Sequence, residues 1–350
     1  MRIAIDCRML GSGGIGSYLS GLLPSFLAEH HCLLIADRGQ CAAFRSHPNA
    51  ECCECAVPPF SLKELCFFPR GIAQKINECD AYFTPYCNIP CGIRVPVFAT
   101  IHDIVFLDIP DLTSAIGRLV RKWFYQHAIN RSRTVFTVSE FSRERIMAKL
   151  RCKRPPVVTY NAAPAYLREP FPQTVEKNGT ILFVGNIKRH KGLATLLAAY
   201  DRARAQGLSA TLTIVGNAEN FRTGDDETAR QLTGAAARGI TFTGKISDEQ
   251  LKYVYAQARV LVQPSRYEGF GMPPLEAMTV GTEAIVSDIP VFREIYRDFP
   301  VTYFAVGNAD DLAEKLIAVT KKPARSITVP AVYSYEKSAA IIMRCIRDAR

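Results

Sequence analysis

The chain of 350 residues contains no run of about 18 uninterrupted apolar residues, which argues against a membrane-spanning helix. Its opening stretch, MRIAIDCRML, has a charge at the second position and no long apolar core, so no secretory signal is expected. An intracellular, cytoplasmic protein is the expectation. In that setting the 12 cysteines are expected to stay unpaired. Paired C-x-x-C knuckles are also missing. ECCEC (Cys52, Cys53, Cys55) near His47, and Cys87 with Cys91, are the groupings that hint at a metal. Cysteine acting as a small buried hydrophobe accounts for them better. The net charge of +10 comes without a zinc-finger, RNA-recognition or basic-zipper pattern, so nucleic acid is not expected as a partner. The positive balance points instead to phosphate-bearing small molecules or anionic lipid.

What is present describes an α/β protein. With 48% hydrophobic and 22% charged residues, the chain can bury substantial cores, and its length suits about two domains. Short apolar runs alternate with helical patterns: RIAID, HCLLIAD, AYFTP, VPVFATIHD, RTVFTVS and PVVTYNAAP, then TILFVGN, LTIVGN, GITFTGK, RVLVQPS, EAIVSD and VTYFAV. Many lack polar alternation, as strands covered by helices on both faces do. NAAPAYLREPFPQTVEKNG, rich in proline and polar residues, reads as a linker between two doubly wound domains, 1–165 and 166–325. A cleft at the carboxyl ends of the strands is the expected ligand site.

GSGGIGSY places Gly11, Gly13 and Gly16 at the spacing of a dinucleotide-binding turn, and Asp37 ends the next apolar run, where such folds keep a ribose-binding acid. In a dinucleotide fold, however, the first glycine closes the strand directly, whereas CRML intervenes here. A dinucleotide-dependent oxidoreductase using this loop is therefore the rival reading, and a bare strand-to-helix connection is the plainest one.

A denser constellation lies downstream in QPSRYEGFGMPPLEAM. The run leaves a strand, passes through Glu268, Gly269, Phe270 and Gly271, and enters a helix through Pro273 and Pro274, with Glu276 expected in its first turn. A carboxylate can accept two hydrogen bonds from a vicinal diol. Glu276 therefore suits a nucleotide ribose and Glu268 a sugar ring, while glycines let backbone amides reach sugar and phosphate. A surface acid that complements the helix dipole is the plainer alternative for Glu276.

These residues resemble the signature of family 4 retaining glycosyltransferases of the GT-B fold. GGIGSY, IHD, VSEFSRERI, VVTYNAAP, FVGNIKRHKGLATLLAAY, FTGKISDEQLKYVYAQARVLVQPS and GTEAIVSDIPVFREI follow in that family's order, over most of residues 1–300. The resemblance implies two Rossmann-like domains facing across a cleft, with residues 326–350 ending in a helix that returns to the first domain. It implies that Glu276 holds the ribose and Glu268 a hydroxyl of the transferred sugar. Phe270 and Gly271 would offer amides, Lys191 would neutralise the departing diphosphate, and the backbone at Ile246 would read the base. His102 would contact the donor sugar, and Gly14 would approach the donor from across the cleft. Lys191, Glu268 and His102 are the catalytic set so implied. Many members carry an arginine where this chain has Asn186, so either Lys188 or Arg189 would supply the second cation, or one cation would suffice.

The implied reaction moves a hexose from a nucleoside diphosphate to an acceptor hydroxyl with retention, the departing phosphate taking the acceptor's proton on the same face. No cofactor is implied, and no metal either, since the sequence has no D-x-D motif. HDIVFLDIP and VSEFSRERI lean towards bacterial surface-polysaccharide enzymes that use GDP-mannose, acting on a glycan or a lipid-linked saccharide. SAIGRLVRKWFYQHAINRSR, with Arg118, Arg121, Lys122, Arg131, Arg133 and Trp123, reads either as a basic amphipathic helix touching the inner membrane surface or as a core helix with solvated charges. LCFFPRGI (Leu65 to Ile72) is a second candidate, for lipid or acceptor contact. A non-catalytic sugar-binding protein would be expected to have lost one of the two glutamates, Lys191 or His102, and all are present.

Overall fold

The computed structural model describes residues 1–216, 235–325 and 327–349. The chain divides into two compact units. One comprises Met1–Ala162 with the segment from Tyr333 onward, the other Ala163–Val332.

The first unit holds strands β1 (Arg2–Asp6), β2 (His31–Ala36), β3 (Ala50–Glu54), β4 (Ala81–Thr84), β5 (Val97–Thr100), β6 (Ser132–Thr137) and β7 (Val157–Val158). They form one sheet in the order β3-β2-β1-β4-β5-β6-β7, every neighbouring pair parallel. The central strands β4 and β5 are buried along their whole length. That is why their sequences, AYFT and VFAT, show no polar alternation. Helix α1 (Gly13–Glu29) buries Tyr18, Leu19, Leu22, Leu23 and Phe26 against this sheet, and Phe26 stacks on Phe83 at 5.5 Å. Helix α2 (Ala115–Arg131) buries only Tyr125 and Ala128 along its 17 residues. Strand β3 is absent from the runs picked out by sequence. Its AECCE alternates exposed acids with thiols at the sheet edge, and this disguised it as a cysteine cluster. Among the described residues no group of three metal-ligating side chains occurs, and Cys53 and Cys55 lie in the core.

The second unit holds β8 (Ile181–Val184), β9 (Leu212–Val215), β10 (Ile240–Gly244), β11 (Val260–Gln263), β12 (Glu283–Ser287) and β13 (Thr302–Phe304). Their order, β10-β9-β8-β11-β12-β13, is again all parallel. Helices α3 (Leu193–Ala205), α4 (Asp248–Gln257), α5 (Met272–Thr279) and α6 (Ala309–Thr320) cover it. The chain builds outward from β8 to one edge and then restarts at β11 towards the other. The carboxyl ends of β8 and β11 therefore flank the point where strand order reverses, where open α/β sheets bind ligands. Helix α7 (Tyr335–Arg347) belongs to the first unit and packs on α1. Gly21 makes the contact possible, since a Cβ there would lie 2.1 Å from the Tyr335 ring. Among the described residues no helix is long and apolar enough to cross a membrane.

Candidate functional site

The turns that leave β8 and β11 are built to touch. Gly192 closes the short helical turn Arg189–Lys191 in the left-handed region, φ 71°, and a Cβ there would lie 1.9 Å from the Pro264 carbonyl oxygen. Only glycine fits. The Arg266 amide donates to the His190 carbonyl at 2.8 Å, so residues 189–192 and 264–268 form one surface at the switch point.

That docking brings Lys191 to Glu268. The ammonium lies 2.7 Å from both carboxylate oxygens. Glu268 Oε1 also accepts from Ser265 Oγ at 2.7 Å and from Gln263 Nε2 at 3.1 Å. Burial alone would raise the Glu268 carboxyl, but the charge and hydrogen bond of Lys191, with the Ser265 hydroxyl, hold it below the usual range. Glu268 is thus a buried anion, and Lys191 carries a positive charge fixed beside it. His190, one residue earlier, is buried with no partner for Nδ1 among the described residues. Burial and then the Lys191 charge lower its pKa to about 4, so its ring is neutral.

Glu276 sits on α5 in a different environment. Helix α5 begins at Met272, with Gly271 as its left-handed N-cap (φ 85°), and no acid lies in its first turn. The expectation that Glu276 lies in the first turn is therefore corrected, and the plainer alternative of a surface acid complementing the dipole falls with it, since Glu276 is buried. The two prolines sit within the opening turn and push Glu276 into the next one. Its Oε2 accepts from Tyr255 Oη at 2.6 Å. Burial is the main influence on the carboxyl and raises it to about 7, although the Tyr255 bond works in the opposite direction. The loop-to-helix junction is braced by Tyr296. Its hydroxyl donates to the Gly271 carbonyl and accepts from the Leu275 amide at 3.2 Å. Phe270 is buried, and a Cβ on Gly271 would strike Phe292 at 2.2 Å.

The structure thus brings Lys191 and Glu268 into contact and sets Gly269, Phe270, Gly271 and Glu276 on the segment that follows. Asn186, Lys188 and Arg189 are exposed on the turn after β8, and Ile246 is half-buried after β10. In the first unit, Gly14 is exposed in the opening turn of α1. His102 follows β5, with Nε2 2.8 Å from the Pro85 carbonyl oxygen and its ring edge-on to Tyr18 at 5.0 Å. A carbonyl only accepts, so Nε2 carries the proton and Nδ1 is left as an acceptor. Enclosure of the ring lowers its pKa to about 4. Asp37, the acid on which the rival oxidoreductase reading relied, is taken up as a helix cap. It accepts from the Gln40 amide at 2.8 Å while Gln40 Oε1 accepts from the Asp37 amide. Tyr255, Tyr296, Ser265 and Gln263 were not foreseen, because a tyrosine or serine inside an apolar run carries no mark of what it will bond.

Residues 168–331 match the family described as glycosyl transferases group 1. That match spans nearly all of the second unit. This agrees with the family 4 resemblance, and both glutamates, Lys191 and the glycine turns lie inside the group 1 glycosyltransferase segment. Similar proteins include O-antigen chain mannosyltransferase B of Escherichia coli, 28% identical over 66% of this chain and 63% of that protein. O-antigen chain mannosyltransferase RfbU of Salmonella typhimurium is 31% identical over 56% of this chain and 53% of its own length. The chain therefore spans less than two thirds of these curated relatives. Among solved structures, Anabaena HepE in complex with UDP and glucose matches with a TM-score of 0.71 at 18% identity, covering 100% of this chain and 94% of that one. Sucrose-phosphate synthase from Thermosynechococcus elongatus matches with 0.69 at 16% identity, covering 99% and 98%. At these identities the likeness is one of fold, two parallel-sheet α/β units of the GT-B kind.

Proposed function

We propose that this chain is a retaining, metal-independent hexosyltransferase. It moves a sugar of the mannose type from a nucleoside diphosphate to a hydroxyl of a glycan or lipid-linked saccharide in surface-polysaccharide synthesis. The observation that carries this reading is the ion pair of Lys191 with the buried Glu268 at the switch point of the unit that matches group 1 glycosyltransferases. Glu276, once ionised, accepts from the two ribose hydroxyls, and Glu268 accepts from a hydroxyl of the sugar. The Phe270 and Gly271 amides serve the sugar and diphosphate, and the backbone at Ile246 serves the base. As the bond from the anomeric carbon to the diphosphate breaks, charge grows on the phosphate, and Lys191, aided by Lys188 or Arg189 where Asn186 offers none, stabilises it. The new bond to the acceptor oxygen forms on the same face, and the departing phosphate takes the acceptor's proton. His102 Nδ1 suits a sugar hydroxyl. A nucleotide panel tests the reading: GDP or UDP at a hundred times its dissociation constant stabilises the chain by about 2.7 kcal/mol in thermal unfolding, and NAD by none. Stabilisation by NAD alone would return the case to an oxidoreductase.

Helix α2 supports a peripheral contact with the membrane that carries a lipid-linked acceptor. Ile116 (77% exposed), Leu119 (69%), Val120 (47%) and Trp123 (54%) recur at helical spacing, with the exposed Lys122 next to Trp123. An exposed apolar stripe on a helix of basic character fits an anionic bilayer surface. Flotation with phosphatidylglycerol vesicles is expected to recover the chain, and Leu119→Ser with Trp123→Ser to lower the bound fraction about ten-fold or more. Equal recovery of wild type and variant would rule the stripe out as the contact.

A further inference from the structure

The first unit has its own switch point, between β1 and β4, and an unusual assembly closes it. Arg8, just past β1, places Nη2 2.5 Å from Asp6 Oδ2, 2.5 Å from Glu64 Oε1 and 2.6 Å from Tyr86 Oη, the last residue lying just past β4. Asp6 and Glu64 are fully buried. Glu64 Oε2 accepts from Asn88 Nδ2 at 2.8 Å and from the backbone amide of Phe60 at 3.0 Å. The loop that follows β3 is therefore tied at Phe60 to a buried ionic network over the carboxyl ends of the strands.

Phe60 itself runs against what folding favours. Among the described residues it is the one non-glycine with positive φ, 59°, where a Cβ crowds the backbone and glycine or asparagine would be at ease. Its ring is 51% exposed, so burial does not compensate. One edge rests on Tyr86, with ring centroids 4.9 Å apart. Pro58 and Pro59 stiffen the approach to it. A large aromatic anchored through its backbone amide, in a strained conformation and half in water at the ligand end of a parallel sheet, has among the described residues only the Tyr86 contact to offset its strain and is suited to contact with a ligand.

We propose that Phe60 is the stacking platform for the acceptor saccharide, and that Arg8, Asp6 and Glu64 are its positioning residues. One face of a pyranose is a layer of C–H bonds, and their positive edge is attracted to the negative face of an aromatic ring. This rests on the transferase reading above and names the part of the first unit that takes the acceptor.

Phe60→Gly tests it in the full chain, because glycine accepts this backbone conformation without strain. The expected result with α-linked mannobioses as acceptors is an acceptor KM raised about ten-fold or more, with donor KM unchanged. The melting temperature should stay within about 4 °C of wild type or rise. Phe60→Tyr, which keeps the ring, retains the wild-type acceptor KM. An unchanged acceptor KM in Phe60→Gly, or a larger drop in melting temperature, overturns the proposal, since the ring would then be idle or structural. If no nucleotide-sugar supports transfer, the transferase reading fails by itself. Saturation-transfer NMR of the mannobioses on donor-free protein then decides: signals present in wild type and lost in Phe60→Gly uphold the platform, and their absence from wild type overturns it.

Discussion

Replacing Lys191 with alanine is expected to lower turnover with a nucleotide-sugar by about 10²–10³-fold, as loss of one preorganised charge at a developing anion does. The same change should weaken the fold. Glu268 is 8% exposed at its side chain and would be left as a buried anion with only Ser265 and Gln263 to support it. Removing one partner of a buried pair costs about 3–5 kcal/mol. The lower end applies here, because the Lys191 side chain is 21% exposed and water can enter the gap. The two effects can be separated. Glu268→Gln combined with Lys191→Ala leaves no orphaned charge, so urea unfolding should recover most of the lost stability while turnover stays low. A folded Lys191→Ala enzyme with turnover within about three-fold of wild type would remove Lys191 from the chemistry.

Much of the fold was legible because parallel sheets leave a plain trace. Strands such as ILFV and VLVQ are buried on both faces, so the sequence shows them as unbroken apolar runs. The edge is where this trace fades. β3 exposes Glu51 and Glu54 and buries its thiols unevenly, and β7 is only two residues long. The first lacks the apolar length to stand out from a loop, and the second was found only as part of the longer run PVVTYNAAP.

The site was legible in part for a similar reason. Glycines advertise close approaches, and Gly192 and Gly271 mark turns that a Cβ would break. The glutamates declare themselves by charge. What the sequence could not show is which partner each acid would find. Glu268 meets a lysine 77 positions earlier and becomes a stable anion, whereas Glu276 meets a tyrosine hydroxyl and is left near neutrality. Those pairings depend on how α4, α5 and the two turns pack, which is a tertiary property. Phe60 was hidden for another reason, since positive φ at a phenylalanine has no sequence signature.

The contrast between the two acids yields a pH dependence. Between an ordinary 4.5 and about 7, the folded chain holds a proton on Glu276 that the unfolded chain has released. Stability from this group is therefore full below about pH 4.5 and is lost as pH rises to about 7, by roughly 3 kcal/mol. Glu276→Gln should flatten that slope, since the amide oxygen can still accept from Tyr255 and carries no charge to bury. Binding runs the other way. A ribose diol is best held by the ionised carboxylate, so the dissociation constant of a nucleotide-sugar should be about ten-fold weaker at pH 6 than at pH 8. A nucleotide-sugar is the right probe, because its diphosphate is esterified at both ends and does not titrate there. His102 and His190, both near 4, do not titrate there either. Calorimetry in buffers of different ionisation enthalpy should register proton release on binding near pH 7, absent in Glu276→Gln. Affinity that is flat from pH 6 to pH 8 in wild type, or an equal slope in the glutamine variant, would mean that Glu276 does not touch the donor, and the ribose would need another partner.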